Sequence, residues 1–317
     1  MEPIGGYFSL ELPQHGEFHK NAIRLNTGRN CLEYILRSRR YRKVYIPYYT
    51  CEVVLEPFGK TGIAYSFYHI DINLEITDDI DLQDDEALLY TNYFGLKQRY
   101  IEKLARLYGT HLIIDNTQAF YAKPIQGIDT FYTCRKFFGV PDGAYLYTDK
   151  RLETEFEQDI SWNRLSFLTK RIDVGVEAGY AEFREMEDKL DDRPIKLMSK
   201  LTQRMMQSID YEVAAEQRRK NYQQLHHELE KSNLIRLPLE KDAVPMVYPY
   251  MTDKEGLREH LIQNKIFVAR YWPNVQKWTL QTDFEYSLVS QLLPIPCDQR
   301  YSENDMKRVV NVINSFE

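Results

Sequence analysis

The sequence predicts an α/β protein, a mostly parallel sheet flanked by helices and followed by a small α+β C-terminal domain. Three observations point there. Short apolar runs alternate with helix-length amphipathic stretches through the first half, and that alternation builds parallel sheets covered on both faces. Several of the runs stop at Pro47, Asn92 or Asp115, and ligands of such sheets sit at the carboxyl ends of strands. A chain of 317 residues with 43% hydrophobic content suffices for a large core and a second domain. The expected division is 1–205 for the large domain and 206–317 for the small one.

The elements follow in order. Asn30 to Arg40 reads as a helix with Leu32, Ile35 and Leu36 on one face, begun near the Thr27-Gly28 turn. Lys43 to Pro47 is a short strand, Cys51 to Phe58 a short helix-like piece, and Ala64 to Tyr68 and Ala87 to Thr91 are strands. Gln98 to Tyr108 is amphipathic through Ile101, Leu104 and Leu107, and His111 to Ile114 and Ala144 to Thr148 are buried strands. The charged middle, from about Asp149 to Glu230, reads as helical, with Glu182 to Leu190 and the long Glu212 to Leu229 as its clearest helices. Beyond it come a strand at Met246 to Met251, a helix at Lys254 to Asn264, a strand at Ile266 to Tyr271, and a last helix from Glu303 to Ser315 capped by Ser302.

Bulk properties exclude several functions. The net charge of −6 argues against non-specific nucleic-acid binding, which requires phosphate neutralisation. No run of about 18 apolar residues is present to cross a membrane. Met1 to Gly6 lacks the basic and apolar regions of a secretory signal. Cys31, Cys51, Cys134 and Cys297 are widely spaced without a CxxC pair, so a reduced, cytoplasmic protein without a zinc site is expected. His69 and His111 have no second ligand at metal-binding spacing, and His226 and His227 fall on the outer side of a charged helix. No metal is expected. The acidic stretch from Asp78 to Glu86 lacks the glycine and spacing of a calcium loop and reads as solvated.

The chemistry concentrates between Leu112 and Leu146. An apolar run, Leu112-Ile113-Ile114, ends in Asp115, with Gln118 three residues on. Lys136 follows among Phe131, Tyr132, Phe137 and Phe138. Desolvation of an ammonium is costly, so burial lowers its pKa and leaves a nucleophilic amine. Lysines that form Schiff bases need that setting. Upstream, Thr27, Gly28 and Arg29 precede a helix; their N–H groups form an anion cradle or, equally, an ordinary cap.

These residues together resemble the DegT/DnrJ/StrS family of sugar aminotransferases, fold-type I enzymes dependent on pyridoxal 5'-phosphate. The family's lysine segment runs K-x-x-x-x-G-[ED]-G-G, and Lys136 is followed in the same register by Pro141, Asp142, Gly143 and Ala144. Its upstream Asp, followed three residues later by Gln or His, falls on Asp115 and Gln118. Weaker matches run from Asn26 to Asn30, Ile46 to Thr50, Arg270 to Pro273, Leu293 to Pro296 and Tyr301 to Asp305, so the likeness covers nearly the whole chain.

The resemblance implies roles. Lys136 would be the Schiff-base lysine and proton carrier, and Asp115 the partner of the cofactor's ring nitrogen. Gln118 would face the phenolic oxygen or the ring; an ordinary loop amide is the competing reading. Thr27 and Gly28 would hold the phosphate, with Arg29 either adding a contact or pointing away. Arg270 and Tyr271 would line the substrate pocket or simply pack at a turn. The reaction would move an amino group from an amino acid, glutamate in the first instance, to a keto-sugar nucleotide for surface-polysaccharide or secondary-metabolite sugars, and the enzyme would be a homodimer.

The departures matter as much. The serine expected five residues before the lysine is Phe131, leaving Thr133 as the nearest hydroxyl. The aromatic expected four residues after the strand-end proline is Cys51, leaving Tyr49 or Tyr93 to stack on the ring. The asparagine that reaches the partner's phosphate has only the Gly179-Tyr180-Ala181 segment as its counterpart. A rival expectation follows: a fold-type I scaffold with a degraded phosphate site, acting as a binding or assembly subunit. The family's dehydratases carry His in place of the lysine, and Lys136 argues against that variant.

Overall fold

The computed structural model describes residues 4–316. The first half builds one seven-stranded sheet. Its strands are β1 (Ile23–Leu25), β2 (Lys43–Pro47), β3 (Ala64–Tyr68), β4 (Glu86–Thr91), β5 (Leu112–Asp115), β6 (Asp129–Thr133) and β7 (Ala144–Tyr147). The order across the sheet is β1-β7-β6-β5-β4-β2-β3. The five strands from β3 to β6 run parallel, while β7 is antiparallel to β6 and β1 antiparallel to β7.

Helices α1 (Gly28–Arg39), α2 (Glu56–Thr61) and α3 (Gln98–Tyr108) connect the strands. Alternate strand residues feed two cores, as the period of two in a strand requires. Leu88, Tyr90, Leu112 and Ile114 join one, and Ala87, Leu89 and Ile113 join the other, beneath α1. Both faces are thus covered, which is what a parallel sheet demands.

The sequence-read strands at β2 and β3 have the expected bounds, and those at β4, β5 and β7 shift by a residue or so. β1 and β6 were not legible. β6 opens on Asp129 and Thr130, polar yet fully buried, because Arg39 meets Asp129 with two hydrogen bonds of 2.8 Å.

Irregular chain and the helices α4 (Ser166–Asp173), α5 (Tyr180–Asp188) and α6 (Lys200–Met206) lead to α7 (Tyr211–Leu229), capped by Asp210. After it, β8 (Val247–Met251) and β9 (Leu292–Pro296) form an antiparallel pair. Helices α8 (Leu257–Gln263), α9 (Val275–Trp278), α10 (Phe284–Gln291) and α11 (Glu303–Asn314) complete the chain. Ser302 and Asp305 form a reciprocal capping box at α11.

One expected strand is absent. Ile266 and Val268 point inward and Phe267 outward, which is strand-like alternation, but the segment pairs with no strand among the described residues. Left-handed residues, Lys265 and Trp272, bound it at φ 59° and 61°. It is extended chain without a ladder. The core that holds the C-terminal elements is continuous with the one under β4 and β5. Among the described residues no helix is long and apolar enough to cross a membrane.

Candidate active site

Asp115 is the last residue of β5, beside Thr91 of β4 and Phe131 of β6. It is buried, and its Oδ1 accepts the Thr117 N–H at 2.8 Å, an Asx turn that pins the carboxylate. Oδ2 has only a 3.5 Å contact with the Thr91 hydroxyl, so one carboxylate oxygen stays available. Burial raises the Asp115 pKa above the ordinary carboxylate value, with Lys136 and Thr117 opposing.

Lys136 stands in the turn after β6. The Cys134 N–H donates to Gly143 O at 3.0 Å, and the Phe137 and Phe138 N–H groups both donate back to Cys134 O. The neighbouring aromatics pack away from the lysine, Phe131 into the core beneath α1 and Tyr132, Phe137 and Phe138 into the other. The Lys136 ammonium is left to donate to Thr117 Oγ1 at 3.0 Å. Solvent reaches the side chain while protein crowds it. That crowding strips water from the ammonium and lowers its pKa; Asp115 pulls the other way.

The start of α1 meets the same turn. Thr27 caps it, accepting the Asn30 N–H at 3.1 Å, so the Gly28 and Arg29 N–H groups are the helix's free donors. A Cβ on Gly28 would lie 3.3 Å from Thr117 Cγ2, 3.9 Å from Phe131 and 4.0 Å from Thr133. Gly28, Thr117 and Thr133 therefore form one cluster, with Lys136 bonded to it. Phe131 and Thr133 share a strand face, so Thr133 stands one step nearer the carboxyl edge than the position where the family's serine was sought. Thr133 Oγ1 has a long 3.5 Å contact to Gly143 O.

The turn after the lysine has a structural task. Asp142 is fully buried and accepts from the Ser199 N–H at 2.9 Å, the Ser199 hydroxyl at 2.7 Å and the Thr202 hydroxyl. Gly143 has φ 109°, and a Cβ there would meet Thr202 at 2.8 Å. This pair bolts the lysine turn to α6.

A search of solved structures finds the whole architecture elsewhere. An aminotransferase from Brucella abortus, described by the names DegT, DnrJ, EryC1 and StrS, superposes with a TM-score of 0.60 at 15% identity, covering 93% of this chain and 85% of that one. This is the fold of the DegT/DnrJ/EryC1/StrS aminotransferases. The DesV protein of S. venezuelae, solved with a ketimine intermediate, matches at 17% identity and TM-score 0.62 over 92% and 83% of the two chains. A GDP-4-keto-6-deoxymannose-3-dehydratase with bound GDP-perosamine matches at 15% identity and 0.64 over 92% and 88%. No family model and no curated protein matches the sequence.

Within that DegT-type fold the remaining expected residues are distributed as follows. Gln118 is buried, with its oxygen accepting the Phe94 N–H at 2.8 Å. The Arg29 guanidinium is held by Glu56 at 2.8 Å and Asp191 at 2.6 Å, so only its backbone N–H belongs to the cradle. Tyr49 and Tyr93 have no exposed surface; Tyr93 donates to Tyr49 O at 2.9 Å, and Trp272 meets the Tyr49 ring edge-on at 4.8 Å. Neither tyrosine offers a free ring face. Cys51 is half-buried and close enough to Lys136 to influence its charge.

The loop from Arg270 to Asn274 reaches this end of the sheet through Trp272 and through Asn274, which donates to Thr50 O at 3.0 Å. Arg270 is exposed, and Tyr271 is half-buried against Phe94 and Trp272. Thr117 was missed in the sequence, where it looks like one more polar residue of the Asp115-Asn116-Thr117-Gln118 turn. Among the described residues no group of three or more His, Cys, Asp or Glu is arranged to hold a metal ion.

Proposed function

We propose that the protein is a pyridoxal-phosphate-dependent aminotransferase acting on a keto-sugar nucleotide, with an amino acid, glutamate in the first instance, as donor. The observation that carries this is the meeting of three groups at one strand edge: a buried carboxylate with an open oxygen, a lysine bonded to the same cluster, and a helix start with two free N–H groups. The cofactor has an anionic phosphate, a basic ring nitrogen and an electrophilic aldehyde, and each finds its complement. The Gly28 and Arg29 N–H groups, with the Thr117 and Thr133 hydroxyls, would hold the phosphate. Asp115 Oδ2 would hold the proton on the ring nitrogen.

When bound, the cofactor supplies an electron sink for the charge that develops as the amino-bearing carbon loses its proton. Lys136 Nζ, whose pKa the surrounding protein lowers, would take that proton from carbon and later return it. Thr117 Oγ1 fixes the direction of the amine while it waits. Gln118 and Asn92 brace the surrounding turns through Phe94 N–H and Asn116 Oδ1. Arg270 and Tyr271, carried by the loop over Tyr49, are the candidates to meet substrate.

The aminotransferase reading is preferred to a dehydratase because the proton-carrying position is Lys136. A homodimer is supported by apolar surface around α4 and α5, where Trp162, Ile172, Val174 and Tyr180 are between 60% and 85% exposed. Residues 206–317 are taken as the smaller lobe of each subunit. A second reading, a non-catalytic scaffold, is favoured by one observation: Phe131 lies in the core where the family's phosphate serine was sought. A half-reaction separates the two. Cofactor-loaded protein mixed with glutamate should release one equivalent of 2-oxoglutarate per site, whereas a scaffold releases none with any amino acid tried.

A further inference from the structure

The residue after the proposed nucleophile is gripped from the far end of the chain. Phe137 O accepts from Gln299 Nε2 at 2.9 Å and from Arg218 Nη2 at 3.2 Å. Arg218 lies on α7 and is 1% exposed. Its other donors go to Gln299 Oε1 at 2.7 Å and to Pro245 O and Met246 O, each at 3.1 Å. Its guanidinium carbon also sits 4.5 Å from the centre of the Phe137 ring. Among the described residues no carboxylate bonds this cation; the nearby Asp298 is taken by Arg300 at 2.7 and 2.8 Å. A buried guanidinium satisfied by neutral oxygens is costly to maintain. Three of those oxygens belong to backbone carbonyls, so its fork fixes main chain.

Lys136 needs that fixing. Its segment is neither helix nor strand, and a four-carbon stem swings freely unless its Cα is held. On the upstream side the turn is stitched to Gly143 through Cys134. On the downstream side the two donors on Phe137 O perform the same task. We propose that Arg218 and Gln299 are positioning residues for Lys136, tying the C-terminal part of the chain to the place where its amine stands. The proposal rests on reading Lys136 as the nucleophile.

The test uses the full chain with Gln299→Ala, which removes one donor from a half-buried site, and Arg218→Lys, which keeps the charge and loses the fork. Thermal melting reports folding. In cofactor-free protein, competitive acetylation followed by peptide mass spectrometry gives the pH midpoint of Lys136 reactivity, with exposed Lys241 as internal control. Loosening the turn admits water to the amine. The Lys136 midpoint should therefore rise toward the ordinary lysine value of about 10.4, with Lys241 unmoved. In loaded enzyme kcat should fall roughly tenfold or more with KM for the donor little changed. If Arg218→Lys does not fold, Gln299→Ala carries the test alone. Folded variants whose Lys136 midpoint and kcat equal those of the parent overturn the proposal. A parent Lys136 midpoint at the ordinary lysine value of about 10.4, with no uptake of pyridoxal phosphate, removes the nucleophile reading instead, and the positioning role with it.

Discussion

Gly28→Ala separates phosphate binding from folding. The added methyl would lie 3.3 Å from Thr117 Cγ2, inside the 3.5–4.0 Å optimum for carbon atoms, so Thr117 must give by a few tenths of an ångström. Phe131 and Thr133 stand at 3.9 and 4.0 Å and are not disturbed. Gly28 is the first residue of α1, and alanine fits there without backbone strain. Reduced freedom of the unfolded chain favours the variant by about 0.4–1 kcal/mol. Displacing Thr117 offsets this with about 0.5–1.5 kcal/mol, and the net falls within about 1 kcal/mol of zero. Binding should respond differently, because the methyl would occupy the place proposed for the phosphate beside the Gly28 N–H. Losing one hydrogen bond to a charged group costs about 1.5–3 kcal/mol, or about 10- to 150-fold in Kd. Fluorescence titration with pyridoxal phosphate measures the affinity and a melt of the cofactor-free protein the stability. An unchanged Kd in a folded variant would refute the cradle, and a collapsed melt would refute the packing argument.

Two further outcomes follow from the same geometry. Asp142→Ala removes the acceptor of the Ser199 N–H and the Thr202 hydroxyl, leaving the Ser199 hydroxyl only Ser161, and should lower stability by about 2 kcal/mol or more, read as a shift of the urea midpoint. A loss below 1 kcal/mol would mean the clamp is not made. Asp115→Asn should lower turnover by about 10²–10³-fold. It also has a pH signature in cofactor-free protein. Burial raises the folded pKa of this carboxyl above its unfolded value of about 3.9, so its stabilising effect is complete below that pH and is lost as pH rises through the folded pKa. The variant's stability relative to the parent should therefore grow from about pH 4 toward neutrality; a flat difference would show Asp115 to be unperturbed.

What the sequence revealed and what it hid have physical reasons. β2 and β3 were legible because Val44, Ile46 and Tyr68 are short apolar runs bounded by polar chain and proline. That Asp115 and Lys136 stand near one another was legible only through a family pattern, since nothing local brings residues 21 apart together. β6 was hidden because its buried Asp129 depends on Arg39, a partner 90 residues away. Ile266 to Tyr271 misled because alternation records which side chains are buried and not whether a neighbouring strand exists. Asp142 was read as part of a cofactor motif, and its three hydrogen bonds tie it to α6. Arg218 looked like one charge among several on a helix, Arg218-Arg219-Lys220, and only the fold shows it beneath Phe137 O.

The central claim is that Lys136 is the residue that bonds pyridoxal phosphate. The direct measurement is to incubate the purified protein with the cofactor, reduce with borohydride, and map the modified peptide by mass spectrometry beside a Lys136→Ala control. A visible absorption band is expected before reduction, a single pyridoxyl group on Lys136 after it, and neither in the control. Excess cofactor that leaves Lys136 unmodified, or a band of equal strength in Lys136→Ala, would contradict it.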